Sequence, residues 1–375
     1  MKIHAVVGAR PNLMKMAPLM EAMTSRAGLE PVLIHTGQHY DERMSDLFFR
    51  QLGIPEPDHY LDVRSGRQGE QTARAMIRLE ELAVSSPPDL VLVVGDVNST
   101  LAAALVGSKL GIPVAHVEAG LRSWDRSMPE EVNRVLTDAI SDLLFTTERT
   151  ARENLLREGI ADERIHFVGN VMIDTLERHL PRARELDSPG AAGLERDGYA
   201  LLTLHRPANV DDPSVLEPLL AAVLDATDGM TVVFPAHPRT RQRLEEFGLL
   251  ERVSGSGRVR LLEPLGYLEF LGLMDGAGVV LTDSGGIQEE TTILGVSCVT
   301  LRENTERPAT VTHGTNRIAG VAPDAVMSAI AHARATGRDT SRRPELWDGR
   351  AAGRIADILE QVAAGGAEVG AGSGA

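Results

Sequence analysis

The sequence predicts an α/β protein of two doubly wound domains in tandem, facing one another across a cleft. Three observations carry this expectation. Apolar strand-like runs alternate with helical patterns along most of the chain and are joined by short connections, as in parallel sheets covered by helices on both faces. The runs fall into two series, separated by a polar stretch at 178–198 that is rich in Arg, Glu and Gly. A chain of 375 residues also exceeds what one ordinary core fills and fits two domains.

In order, the first series of strand-like runs is 3–7, 31–36, 90–94, 114–117 and 143–146; the second is 200–204, 232–235, 259–262, 279–282 and 298–301. Their near-continuous Val, Leu and Ile content is that of strands buried on both faces. An N-terminal domain is therefore expected over 1–175 and a C-terminal domain over 176–350. Residues 351–363 have the apolar spacing of a closing helix, and the Gly/Ala-rich tail 364–375 reads as disordered. No close internal repeat relates the two halves.

Composition narrows the function. Hydrophobic content of 43% and charged content of 24% are those of a globular protein, and with only 3% aromatics the core must be aliphatic. The net charge of −15 argues against nucleic acid or an anionic membrane as the main partner, although local Arg and Lys can still bind a small anion. The single cysteine, Cys298, sits in an apolar run; it precludes an intrachain disulfide and argues against a cysteine-based metal site. No 18-residue apolar run and no signal peptide before the first strand are visible, so a cytoplasmic protein is expected.

The most informative motif is Leu281-Thr282-Asp283-Ser284-Gly285-Gly286-Ile287-Gln288-Glu289-Glu290, where a buried strand runs through a Ser-Gly-Gly turn into a helix. Such a turn places free backbone N–H groups and a positive helix end at a sheet edge, a good seat for a diphosphate. The competing reading is an ordinary strand-to-helix turn. The first strand ends in Gly8-Ala9-Arg10-Pro11-Asn12-Leu13-Met14-Lys15. This is not GxGxxG, so a dinucleotide is poorly supported; Arg10 and Lys15 suit phosphate or sugar contacts, or else a structural ion pair and a solvated helix residue.

Carboxylates recur at strand ends. Gly95-Asp96-Val97-Asn98-Ser99 and His116-Val117-Glu118-Ala119-Gly120-Leu121-Arg122 each follow or end a strand, and Met128-Pro129-Glu130-Glu131-Val132-Asn133-Arg134 opens a helix with Glu130 and Arg134 as i,i+4 neighbours. Singly, each is a cap or a surface pair as readily as a catalyst. Together, Asp96, Glu118 and Glu130 can supply a matched acid and base. Thr203-Leu204-His205-Arg206 and Pro235-Ala236-His237-Pro238-Arg239 bring two histidines to strand ends, as core residues or as groups stabilising a leaving diphosphate. Neither HExxH nor HxxEH occurs, so no metal is expected.

These motifs, with Thr36-Gly37-Gln38-His39, Gly169-Asn170 and Thr305-Glu306-Arg307-Pro308, resemble the non-hydrolysing UDP-N-acetylglucosamine 2-epimerases over about residues 1–320 by motif. The resemblance implies a GT-B-like fold of two Rossmann-like domains, the first carrying the acid/base carboxylates and the second binding UDP. It implies interconversion of UDP-GlcNAc and UDP-ManNAc, by elimination of UDP to a 2-acetamidoglucal and re-addition, without nicotinamide or other cofactor. Asp96, Glu118 and Glu130 become the acid/base carboxylates, and His205 assists the leaving diphosphate. Arg10, Lys15, Arg134, Arg206, Ser284, Gly285, Gly286 and Arg307 become substrate and phosphate contacts, Glu290 a ribose contact, and Phe270 part of the segment against the uracil. Gln38, His39, Arg67 and His237 match a set that binds a second, activating substrate molecule in some members, with Asp41 standing where that set has a glutamine. A homodimer is the implied assembly. The rival readings are a 2-epimerase of another 2-acetamido sugar nucleotide, such as a 2,3-diacetamido one, a hydrolysing variant, and a GT-B glycosyltransferase, which would not need three carboxylates in the first domain.

Overall fold

A computed structural model describes residues 1–37, 52–255 and 257–371. The chain forms two compact units: Met1–Glu177 together with the segment from Glu345 onward, and Arg178–Pro344.

The first unit is built on seven strands, β1 Lys2–Val7, β2 Glu30–His35, β3 His59–Tyr60, β4 Leu90–Val94, β5 Val114–Ala119, β6 Leu143–Thr146 and β7 Ile165–Phe167. All pairings are parallel, in the order β3-β2-β1-β4-β5-β6-β7. Val6 of β1 lies beside both Ile34 of β2 and Val93 of β4. Winding therefore runs outward in both directions from the β1–β4 pair, which leaves a crevice at the carboxyl ends of these strands. Every residue of β4 and of β5 is buried, which is why β4 reads as an unbroken apolar run; β5 buries His116 and Glu118 as well. Helices Gln68–Ser85, Asn98–Leu110 and Pro129–Ile140 pack side by side.

The second unit repeats this winding with β8 Tyr199–Thr203, β9 Thr231–Pro235, β10 Val259–Leu262, β11 Val279–Thr282, β12 Cys298–Thr300 and β13 Asn316–Ile318, all parallel in the order β10-β9-β8-β11-β12-β13. Its core joins Leu202, Phe234, Leu281 and Val299 of four strands to Leu219, Val223, Val326 and Ile330 of helices. Among the described residues, no helix is long and apolar enough to cross a membrane.

All ten strand-like runs of the sequence are strands. Three others were not apparent: β3, β7 and β13 are edge strands of two or three residues, too short to form an apolar run. The second difference lies at the C-terminus. Residues 345–350, grouped by sequence with the second domain, belong to the first unit. Trp347 is fully buried there and donates its Nε1–H to the Thr147 carbonyl at 2.9 Å. Gly169 has a φ of +89°, and a Cβ at that position would run into the Leu346 carbonyl. The closing helix, Ala351–Ala371, extends through much of the stretch read as disordered, in keeping with its alanine content. Its first turn is capped by Asp174, which accepts from the Ala351 and Ala352 N–H groups at 3.2 and 2.9 Å.

Candidate functional site

In the first unit, the carboxyl ends of β1, β4 and β5 bring together Lys15, Asp96 and Glu118. Gly95 makes the turn out of β4 with a φ of +67° and leaves room for Lys15, whose Nζ lies 3.2 Å from where a Cβ on Gly95 would sit. Lys15 reaches across this gap to form a buried ion pair with Glu118. Glu118 itself has a φ of +74°, left-handed backbone that a non-glycine residue adopts only when its surroundings enforce it.

Asp96 is held differently. Its carboxylate pairs with Arg134 while about a quarter of its side chain stays exposed, so a ligand can reach it. The Asn133 amide donates to the Asp96 carbonyl at 2.9 Å, and Asn98, the first residue of the next helix, bridges from Asn133 to Gln68 and Gln71. The expected Glu130–Arg134 neighbourhood is corrected by the structure: Arg134 pairs at 2.6 Å with Glu131, three residues before it, and Glu130 is exposed on the first turn of the helix. Helix phase decides this. Glu131, Arg134 and Asp138 fall on one face at i, i+3 and i+7, and that face is buried. Glu131 also accepts from the Ser123 and Trp124 N–H groups, each at 2.9 Å, which outweighs the effect of burial and holds its carboxyl below the ordinary range.

In the second unit, the corresponding edge is formed by β8 and β11. Asp283, fully buried, accepts from the His205 N–H at 3.0 Å, the Arg206 N–H at 2.9 Å and His205 Nδ1 at 2.8 Å. Burial alone would raise the Asp283 carboxyl, but these contacts outweigh it and keep it below its ordinary value. His205 is thereby fixed with its ring half exposed, 6.2 Å from the ring of His237. His237 is exposed and caps the helix Pro238–Glu246; burial of its ring, then the neighbouring His205 and Arg239, lower its pKa.

The helix Gly285–Leu294 starts from Ser284, whose N–H is held by Thr282 Oγ1 at 3.0 Å. Over its first turn lies a buried cluster: Arg307 pairs with Glu289 at 2.8 Å and with Glu306 at 2.7 Å, and Arg302 joins Glu306 at 2.9 Å. A side chain on Gly285 would overlap the Arg307 guanidinium, so glycine is needed there for closeness of approach. Arg206 donates Nε to the Asp283 carbonyl at 3.0 Å. Glu290, on the same helix, accepts from the Tyr267 hydroxyl at 2.9 Å; burial pushes its carboxyl up to about 7. Phe270 lies one turn beyond Tyr267 and is half-buried.

Most of the expected residues can thus be placed. The first unit gathers Lys15, Asp96, Glu118 and Arg134; Arg67, exposed, precedes the helix Gln68–Ser85. The second unit gathers His205, Arg206, Ser284, Gly285, Gly286 and Arg307 at one sheet edge. Gln38, His39 and the side chain of Arg10 lie outside the described residues. Sequence reasoning had not singled out the roles of Glu131, Asp138, Tyr267, Asp283 or Glu306. For Glu131 and Asp138 a signal existed, the polar stripe shared with Arg134 on a helix whose opposite face is partly apolar.

Known proteins resemble this chain over nearly its whole length. A profile of the family described as UDP-N-acetylglucosamine 2-epimerase matches residues 21–360. The UDP-N-acetylglucosamine 2-epimerase of Methanococcus maripaludis is 44% identical over 334 residues, 88% of this chain and 90% of its own length. The UDP-2,3-diacetamido-2,3-dideoxy-D-glucuronate 2-epimerase of Pseudomonas aeruginosa is 42% identical over 367 residues, 96% of this chain and 100% of its own. The crystal structure of Methanocaldococcus jannaschii UDP-GlcNAc 2-epimerase in complex with UDP-GlcNAc and UDP superposes with a TM-score of 0.89 at 42% identity, covering 96% of this chain and 99% of that one.

Proposed function

From the premise that this chain belongs to the UDP-N-acetylglucosamine 2-epimerase family and has its GT-B-like α/β fold, we propose that it interconverts UDP-GlcNAc and UDP-ManNAc by elimination and re-addition of UDP. The C2 proton of the sugar has no adjacent carbonyl to acidify it. Cleavage of the C1–O bond, with the electron pair leaving on the diphosphate oxygen, gives C1 oxocarbenium character and makes that proton removable. A carboxylate takes the proton, the C2–H pair becomes the C1=C2 bond, and a 2-acetamidoglucal results. Re-addition reverses each step, with the proton delivered to the opposite face of C2. No net oxidation occurs.

Asp96, Glu118 and Glu130 are the proposed proton carriers in the first unit, and the second unit is the proposed UDP-binding domain. The observation that carries the reading is the pair of carboxylates at the ends of neighbouring strands β4 and β5, each held by a cation: Glu118 by Lys15, Asp96 by Arg134. Two carboxylates on one sheet edge are what removal of a proton from C2 and its return require. In the second unit, Ser284, Gly285, Gly286, Arg206 and Arg307 are the proposed phosphate contacts, His205 steadies the departing diphosphate, Glu290 takes the ribose hydroxyls and Phe270 the uracil.

Proton NMR with UDP-GlcNAc in D2O tests this directly. UDP-ManNAc carrying deuterium at C2 is the expected product, and an unchanged substrate removes the reading. The Pseudomonas relative, matched over its full length, favours one second substrate, a UDP-2,3-diacetamido-uronate, to be run in the same assay. The proposal extends to a cytoplasmic homodimer. Ile77 and Val84 on Gln68–Ser85, and Val132 and Leu136 on Pro129–Ile140, are large exposed apolar side chains on the two helices that flank Asn98–Leu110, as an interface between copies would use. Light scattering should give twice the 40.4 kDa of one chain, and a monomer at micromolar concentration overturns that part.

A further inference from the structure

Behind the two carboxylates of the first unit lies a buried cluster that the proposed chemistry does not use. His116 is on β5, two residues before Glu118, and is fully buried. Its Nδ1 lies 2.7 Å from Asp138 Oδ1 and its Nε2 lies 2.9 Å from the Gly95 carbonyl oxygen. Asp138 is also fully buried; burial pushes its carboxyl up, but His116 and Arg122 outweigh that and hold it ionised, below the ordinary range. Both neighbours of the ring are then pure acceptors. A neutral imidazole has one N–H and would turn a lone pair against one of the two oxygens, so the contacts require protons on both nitrogens.

Charge balance supports the same assignment. Asp138 Oδ2 pairs with Arg122 Nη1 at 2.7 Å, and the rest of the Arg122 guanidinium forks onto Glu158 at 2.8 and 2.5 Å. With a doubly protonated His116, two cations meet two anions, of which Asp138 is buried and Glu158 reaches solvent.

The cluster grips the backbone at selected places. His116 holds the carbonyl of Gly95, the residue before Asp96. Asp138 Oδ2 accepts from the Gly120 N–H at 3.0 Å, two residues after Glu118, and Arg122 donates to the Leu121 carbonyl at 2.7 Å. Gly95, Glu118 and Gly120 have φ values of +67°, +74° and +80°, so the gripped positions bracket the left-handed backbone that aims both carboxylates. A pair serving core stability alone has no reason to select these points.

We propose that His116, held as an imidazolium on Asp138, is the positioning pair that fixes Asp96 and Glu118 for proton transfer at C2. This rests on the epimerase reading of the site. Neither residue touches substrate. The diphosphate and nucleoside contacts proposed for the second unit do not involve the pair, so its loss should misplace the proton carriers and leave binding intact.

The test is Asp138→Asn, followed by C2 proton exchange in D2O, by UDP titration and by 15N NMR of the histidine rings. A fall in kcat of about 100-fold is expected from misplacement of this kind. KM and UDP affinity should stay within about threefold, the pattern of an interaction felt only in the transition state. In the wild-type protein, which needs no folded variant, both His116 ring nitrogens should carry protons, and Asp138→Asn should release one of them. A neutral wild-type ring overturns the proposal, as does a variant whose kcat matches the wild type. If the wild type exchanges no C2 proton on either UDP-sugar, the epimerase reading itself falls and takes the positioning role with it, so the two failures are distinguishable.

Discussion

The two sheets wind identically about their first strands, yet their carboxyl edges carry opposite chemistry. At the first edge, acids are held on cations, Glu118 on Lys15 and Asp96 on Arg134, which Asp96 shares with the buried Glu131. At the second, one buried acid, Asp283, gathers two backbone N–H groups and the His205 ring, and guanidinium groups crowd the start of a helix. The first arrangement offers groups that take and give protons; the second offers fixed donors that an anion can lie against. Winding order determines where a site forms. Which residues end the strands determines what the site does.

The sharpest way to break this comparison is Glu118→Gln, which keeps the shape of the side chain and removes one of the proposed proton carriers. Its kcat for C2 exchange should fall by about 1000-fold, as for loss of a general base, while UDP affinity is unchanged. Exchange that persists at the wild-type rate would mean that the first edge does not hold the proton chemistry.

A slightly smaller effect separates the units through pH. Each contains a buried carboxylate whose pKa burial has raised: Asp174 in the first, to about 6, and Glu290 in the second, to about 7. The folded protein therefore keeps protons that the unfolded chain releases. Their contribution to stability is complete below the ordinary carboxylate range and is lost as pH rises through 6 and then 7. Each is worth on the order of 3 kcal/mol by this linkage. The denaturation midpoint should fall between pH 5 and pH 8, and Glu290→Gln should remove the upper part of that fall; a variant with the wild-type pH profile counts against it.

Gly285→Ala probes the second edge by displacing Arg307. Loss of a charge-assisted contact of this kind should weaken UDP binding by about 10- to 100-fold in calorimetry. The wild-type pH dependence of C2 exchange at saturating substrate should survive, because the first edge is untouched. The smallest expectation concerns Cys298. Burial pushes its thiol up to about 12, so the native protein should resist a thiol reagent at pH 8 and react only after denaturation.

Much of this was legible in the sequence, and the failures have physical causes. Strands buried on both faces are the easiest elements to find, and glycine followed by a carboxylate at their ends located Asp96 directly. Glu130 and Glu131 illustrate the limit. They are the same residue type side by side in Pro129-Glu130-Glu131, and only the phase of the folded helix turns one to Arg134 and the other to solvent. Asp138 sits 22 residues from the histidine it holds, and Asp283 lies 78 residues from His205. Such partners are chosen by neighbouring strands in a sheet, which local spacing does not encode. Trp347 is the same case at larger scale: a tryptophan in a polar stretch, with no local apolar pattern to mark it as core.

The return of the chain at Glu345 gives the molecule an order of completion. The second unit, Arg178–Pro344, is in effect an insertion within the first, whose last helix is also the last part made. As the chain leaves the ribosome, the second unit has all its strands before the first has its final piece. The edge bearing Lys15, Asp96 and Glu118 must wait, with Asp174 and the Thr147 carbonyl lacking their partners, until Trp347 and the Ala351–Ala371 helix arrive. A nascent chain stopped at Pro344 would hold all the strands of the second unit beside a first unit still without Trp347 and its last helix.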